Sequence, residues 1–204
     1  GNGGTVSTSD NAAVTLPSNG IRVEGGDSYS GAVNVYAKWL NPTGENIAET
    51  MPGDLRASNT AGEFVQLATF GMIAVELESP SGEALNIAEG ENAIIELPVP
   101  NELLNNAPTT IPLWHFDEAT GYWVEDGSAD KVDDTYIGSV KHFSFWNWDI
   151  KVPSLTTSGR IVTSEGVAVS NIKVTVGSEV SGRRSGYTNS LGVFEGIMPA
   201  EAEL

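Results

Sequence analysis

Apolar and polar residues alternate with period two in short bursts along this chain, and this restricts the fold more than any other feature. Val33, Val35, Ala37 and Trp39 share one side of a run whose other side carries Asn34, Tyr36 and Lys38. Ile73, Val75 and Leu77 oppose Ala74, Glu76 and Glu78, and Ala93, Ile95 and Leu97 line one side of a third run. Successive strand side chains point to opposite faces, so each burst is a strand with one buried and one wet face, as in antiparallel sheets. Turn-forming pairs punctuate them: Asn19-Gly20, Gly25-Gly26, Pro52-Gly53, Ser81-Gly82, Glu89-Gly90 and Thr120-Gly121. Short strands at this spacing predict an all-β chain, a sandwich or a barrel, and the aromatic runs of 110–149 fit the closing hairpins of an antiparallel β-sandwich. Helix is expected only as single turns, at 101–107 with Asn101 as N-cap and at 46–51.

Charge divides the chain. Residues 151–204 hold 5 acidic and 5 basic side chains of the chain's 27 and 10, leaving 22 and 5 for residues 1–150. The whole net charge of −17 therefore falls before residue 151. The expected organisation is an N-terminal tail (1–11), an acidic β-sandwich domain (12–150), a linker (151–154) and a second β segment (155–204). The GNGG start and AEAEL end read as an excised piece of a longer protein. An acidic surface repels nucleic acid and anionic lipid, and no apolar run is long enough to insert into a membrane.

The chain has no cysteine, which excludes disulfides, thiolate nucleophiles and sulfur-bound zinc. Two histidines alone do not make a zinc site, so no metal ligand and no cofactor is assigned. Asp130, Asp133 and Asp134 have the crowding of a calcium loop without an EF-hand spacing, and read as a solvated turn. No nucleotide-binding glycine pattern, HExxH or GxSxG occurs. An intramolecular isopeptide bond would need a buried lysine, and Lys38 and Lys173 are expected to point to solvent.

Chemistry concentrates between Thr110 and Asp149, which contain four of the five tryptophans and both histidines. Trp114, Phe116, Tyr122 and Trp123 flank a turn at 118–121, as cross-strand partners of a hairpin would. The functional rival is a carbohydrate platform of Trp114, Tyr122 and Trp123. His142-Phe143-Ser144 offers a second chemistry. On a strand, His142 and Ser144 would face the same side. Ser144 would then act as nucleophile on the Phe143 carbonyl and His142 as general base. The bland alternative is a strand buried on both faces, with His142 bonded to a carboxylate such as Asp117.

Several runs carry family resemblances. AVTLPSNGI, YSGAVNVYAKWLNPT, FGMIAVEL, TIPLWHFDEATGYWVEDGSA and HFSFWNWD resemble Bacteroidetes-type bacterial surface lipoproteins with carboxypeptidase-regulatory-like domains. The PLW-x-F-D-x-x-T-G-x-W run also resembles extracellular segments of cartilage-intermediate-layer and astroprincin-like proteins. A G-hydrophobic strand, a V-x-V strand and T-N-x-x-G-x-F in the last fifty or so residues resemble the start of a transthyretin-like, carboxypeptidase-regulatory-like sandwich, which implies an Ig-like, incomplete β-sandwich over 155–204. His142-Phe143-Ser144 resembles the self-cleavage tripeptide of ankyrin- and netrin-receptor-type sandwiches and of a nucleoporin domain. These resemblances imply a non-enzymatic structural or adhesive module of an extracellular, secreted or outer-membrane-associated bacterial protein. Its implied partners are other surface domains or chains, or glycans. A self-cleaving sandwich and a carbohydrate-binding module are the alternatives.

Overall fold

The computed structural model describes residues 1–178 and 182–200. Residues 179–181 and 201–204, within the second expected sandwich, lie outside the described residues. In chain order the strands are β1 (Gly4–Ser7), β2 (Ala13–Leu16), β3 (Ile21–Val23), β4 (Asn34–Leu40), β5 (Arg56–Ser58), β6 (Phe64–Glu78), β7 (Ala84–Ile87) and β8 (Ala93–Pro98). They continue as β9 (Thr110–Asp117), β10 (Tyr122–Val132), β11 (Thr135–Val140), β12 (Phe145–Val152), β13 (Ser154–Arg160), β14 (Lys173–Ser178), β15 (Gly182–Tyr187) and β16 (Val193–Pro199). Among the described residues helix is limited to one α turn, α1 (Ile47–Thr50), and a 3-10 turn at Leu104–Asn106. Leu103, without a side-chain cap bond, precedes that 3-10 turn. Asn101 is therefore not its N-cap.

Two further expectations change. The N-terminal tail contains β1, which pairs with β2 from Gly4↔Leu16 to Ser7↔Ala13; it is exposed throughout and so lacks the apolar alternation of a core strand. The expected linker is mostly strand: Lys151 and Val152 finish β12 and Ser154 opens β13.

Backbone contacts divide the chain into two compact units, residues 1–63 with 69–150, and residues 64–68 with 151–204. The main sheet has the order β1-β2-β8-β11-β10-β9-β12-β6-β7-β3, with β4 beside β6 and β5 beside β10 in parallel. The other registered pairs of this sheet are antiparallel. Apolar faces from opposite ends of that order meet in one core. Val14 of β2, Ile95 of β8, Leu113 of β9, Trp148 of β12, Val75 of β6 and Ile87 of β7 all belong to it. Phe70 of β6 stands edge-on to Tyr136 of β11, with ring centroids 6.5 Å apart, although three strands separate them in the sheet. A sheet whose distant strands share one core must fold over it, which gives the all-β sandwich expected for this chain.

In the second unit β13 pairs with β16 and β14 with β15, both antiparallel. The T-N-x-x-G run has a local explanation. Buried Thr188 donates its hydroxyl to Val169 O (2.7 Å) and accepts from Ile172 N–H (3.0 Å). Asn189 Oδ1 accepts from Leu191 and Val193 N–H at 2.9 and 3.0 Å, closing the turn into β16. Gly192 sits at φ 74, where a Cβ would come within 2.4 Å of Ile161 O. Only glycine suits that position.

Candidate functional site

The hairpin of β9 and β10 positions the chemistry. Its register pairs Trp123 with Phe116, Val124 with His115 and Glu125 with Trp114. The next pair is Ser128 with Pro112, so β10 takes three steps where β9 takes two. This is a β-bulge, with Asp126 and Gly127 together opposing Leu113. Gly127 takes φ 95, which glycine adopts without a Cβ penalty. Such a bulge re-aims a side chain, here that of Asp126.

On the other side of β9, Trp146 of β12 pairs with His115. The segment joining β11 to β12 carries His142, and the Trp146 indole N–H donates to the His142 carbonyl at 3.0 Å. The His142 ring lies 5.0 Å from the Trp146 ring and stands edge-on to His115, centroids 4.8 Å apart. His115, Asp126 and His142 thus meet, each half-buried, with one ligand atom apiece all within 4.8 Å of one another. Lys141 ion-pairs with Asp126 Oδ1 at 3.1 Å from an exposed position.

Burial is the main cause holding the pKa of both imidazoles below the usual histidine range. For His142 the neighbouring His115 adds to this, while Asp126 opposes it for both. Both rings are therefore neutral at pH 7 and each keeps a lone pair. His115 Nδ1 is buried with no hydrogen-bond partner. Leaving such an atom unsatisfied costs about 1–3 kcal/mol.

His142-Phe143-Ser144 is not on a strand; it forms a bend before β12. The physical reason is that the chain must turn from β11 into β12 here, with Trp146 tying back to His142. The Phe143 N–H donates to Asn86 Oδ1 at 2.8 Å, and the Ser144 carbonyl accepts from Val75 N–H at 3.3 Å. Ser144 Oγ donates to Phe145 O at 3.2 Å rather than to His142. None of the three residues has positive φ or a cis peptide bond. The strand geometry expected to bring His142 and Ser144 together is absent. Nor does Asp117 receive His142: its carboxylate accepts from Ala119 N–H (2.9 Å) and the Thr120 hydroxyl (2.8 Å) in the hairpin turn. These bonds hold its pKa below the usual carboxylate range, the Thr120 bond most.

The aromatic residues pack. Trp114 and Trp123 are 0% exposed and have no face to offer a sugar. Trp123 meets Phe116 edge-on at 5.3 Å, while half-buried Tyr122 lies under the Arg56 guanidinium at 5.1 Å. The carbohydrate platform therefore fails at both tryptophans, because the alternation that makes them cross-strand partners also buries them. Asp130, Asp133 and Asp134 form no ligand group among the described residues. Asp130 instead accepts from the Thr110 hydroxyl at 2.8 Å, and Asp133 takes φ 52 in the β10–β11 turn.

Two features escaped the sequence. The His115–Asp126–His142 cluster joins residues far apart in the chain, and only the bulge and the 141–144 bend align them. The second is a buried polar group behind the tryptophans. Asn147 and Asp149 are both 0% exposed. Asn147 Nδ2 donates to Asp149 Oδ2 at 2.6 Å, and the Thr69 hydroxyl donates to Asn147 Oδ1 at 2.9 Å. Burial drives the Asp149 pKa well above the carboxylate range, against the opposing pull of the nearby Thr69 hydroxyl, Asn147 amide and Phe70 N–H.

The chain is similar to cartilage intermediate layer proteins. It is 30% identical over 116 residues to mouse cartilage intermediate layer protein 2, covering 56% of this chain and 10% of that protein. Against the human form it is 32% identical over 119 residues, 55% of this chain and 10% of the relative. Human cartilage intermediate layer protein 1 is 26% identical over 117 residues, 57% of this chain and again 10% of the relative. The chain thus spans about a tenth of the length of these curated relatives. No family model matches it, and no solved structure does.

Proposed function

We propose that this chain is a non-enzymatic structural module of a multidomain protein that works outside the cell. The observation that carries this reading is the similarity to cartilage intermediate layer proteins across more than half the chain. The packing is compatible with it. Trp114 and Trp123 are consumed in the core, and the Ser144 hydroxyl donates to the Phe145 carbonyl. No helix among the described residues is long and apolar enough to cross a membrane.

The finer reading is a bacterial cell-surface or secreted protein, with a carboxypeptidase-regulatory-like second unit and an adhesive or assembling role. It rests on the sequence resemblances. One structural observation favours assembly: β1 ends the strand order, pairs only with β2 among the described residues, and exposes all four of its residues. An open strand edge is a template for a strand from another chain.

Antibodies against residues 12–150 should label intact cells of the source organism, or its medium. Labelling only after permeabilisation would overturn the extracellular reading. Sedimentation velocity should show concentration-dependent association. A monomer at every concentration would count against assembly.

A further inference from the structure

We propose that His115, Asp126 and His142 form a binding site for a zinc-class divalent ion. Two imidazoles and a carboxylate are the donors that borderline transition ions prefer, and magnesium and calcium prefer all-oxygen sites. Three protein ligands leave the fourth tetrahedral position for water or for a donor from another molecule. The distances suit closure: bonds of ~2.0–2.1 Å set ligand atoms about 3.3 Å apart, so a group within 4.8 Å closes by side-chain movements of ~1.5 Å or less.

The surroundings point the same way. His115 Nδ1 is buried with no hydrogen-bond partner, so no protein contact fixes the tautomer of this ring and either nitrogen is open to carry the lone pair. The cluster sits on rigid elements, two ligands on paired strands and the third fastened by the Trp146 indole to the His142 carbonyl. Asp126 reaches the histidines from a bulge, a device that costs the sheet a ladder residue and re-aims this carboxylate. Lys141 already neutralises Asp126 Oδ1 across an exposed contact, and an ion would replace it.

The test uses tag-free 204-residue chain, stripped of metal with a chelator, and Zn2+ alone as the probe. Calorimetry should report one Zn2+ per chain. The chain has only two histidines, so an imidazole nitrogen NMR spectrum contains just their signals. One equivalent of Zn2+ should shift both sets together. Asp126→Asn should weaken binding tenfold or more, and His142→Ala should abolish the one-to-one step, with unchanged circular dichroism confirming the fold. Imidazole signals left unmoved by one equivalent of Zn2+ would overturn the proposal without recourse to any variant. So would stoichiometric binding of undiminished affinity in both folded variants, which would place the ion elsewhere.

Discussion

Replacing Trp114 by phenylalanine tests whether the tryptophans serve packing. The indole is fully buried and donates to the Asp149 carbonyl at 3.0 Å. Trp148 pairs with Leu113, and one further step in that register sets Asp149 level with Pro112, which has no N–H to give. The indole supplies the donor that this position of the ladder lacks. Phenylalanine keeps the ring body but deletes about three buried heavy atoms, at roughly 0.8 kcal/mol for each methylene equivalent. It also strands the carbonyl, at about 1–3 kcal/mol. Trp114→Phe should therefore destabilise by about 3–5 kcal/mol. With m about 1–3 kcal/mol/M in urea, the midpoint by far-UV circular dichroism should fall by at least ~1 M. A loss under ~0.5 kcal/mol, the range of ordinary surface substitutions, would refute the packing argument and return Trp114 to the candidates for ligand contact.

Three further outcomes are expected. Burial raises the Asp149 pKa, so the folded chain holds a proton that the unfolded chain releases above about 3.8. Stability is then greatest below that value and falls as pH rises through the folded pKa. Asp149→Asn should abolish this slope, and its urea midpoint should gain on the parent from pH 4 to pH 7; a constant gap would refute the assignment. Gly192→Ala must hold a Cβ against Ile161 O at positive φ, and should destabilise the second unit by about 1–3 kcal/mol or more, read as faster proteolysis near residues 188–192. Freshly purified chain should run as one band near 21.5 kDa, because the Ser144 hydroxyl donates to the Phe145 carbonyl and not to His142. Two fragments that merge on Ser144→Ala would overturn the non-enzymatic reading.

What the sequence made legible is what period two encodes. Alternation placed Ile73, Val75, Leu77, Ala93, Ile95 and Leu97 on buried faces. The turn at 118–121 set Phe116 opposite Trp123. Alternation failed wherever the chain departs from a regular ladder. A bulge adds one residue without a composition signal, so Asp126 looked like another carboxylate among 27 acidic residues. The 141–144 bend is made by contacts from Asn86, Val75 and Trp146, all distant in sequence or folded back, so the tripeptide looked like strand. Nothing in the alternation singles out Asn147 and Asp149 as a bonded pair. Their burial follows from β12 lying between β9 and β6.

The bulge at Asp126–Gly127 makes the candidate ion site separable from the fold by one codon. Deleting a single residue between Glu125 and Ser128 would restore a regular ladder to β10 and keep its partners on either side. It would also withdraw the carboxylate from the two histidines. Homologues can thus be sorted by the length of this one segment into chains equipped to hold an ion and chains that keep only the scaffold.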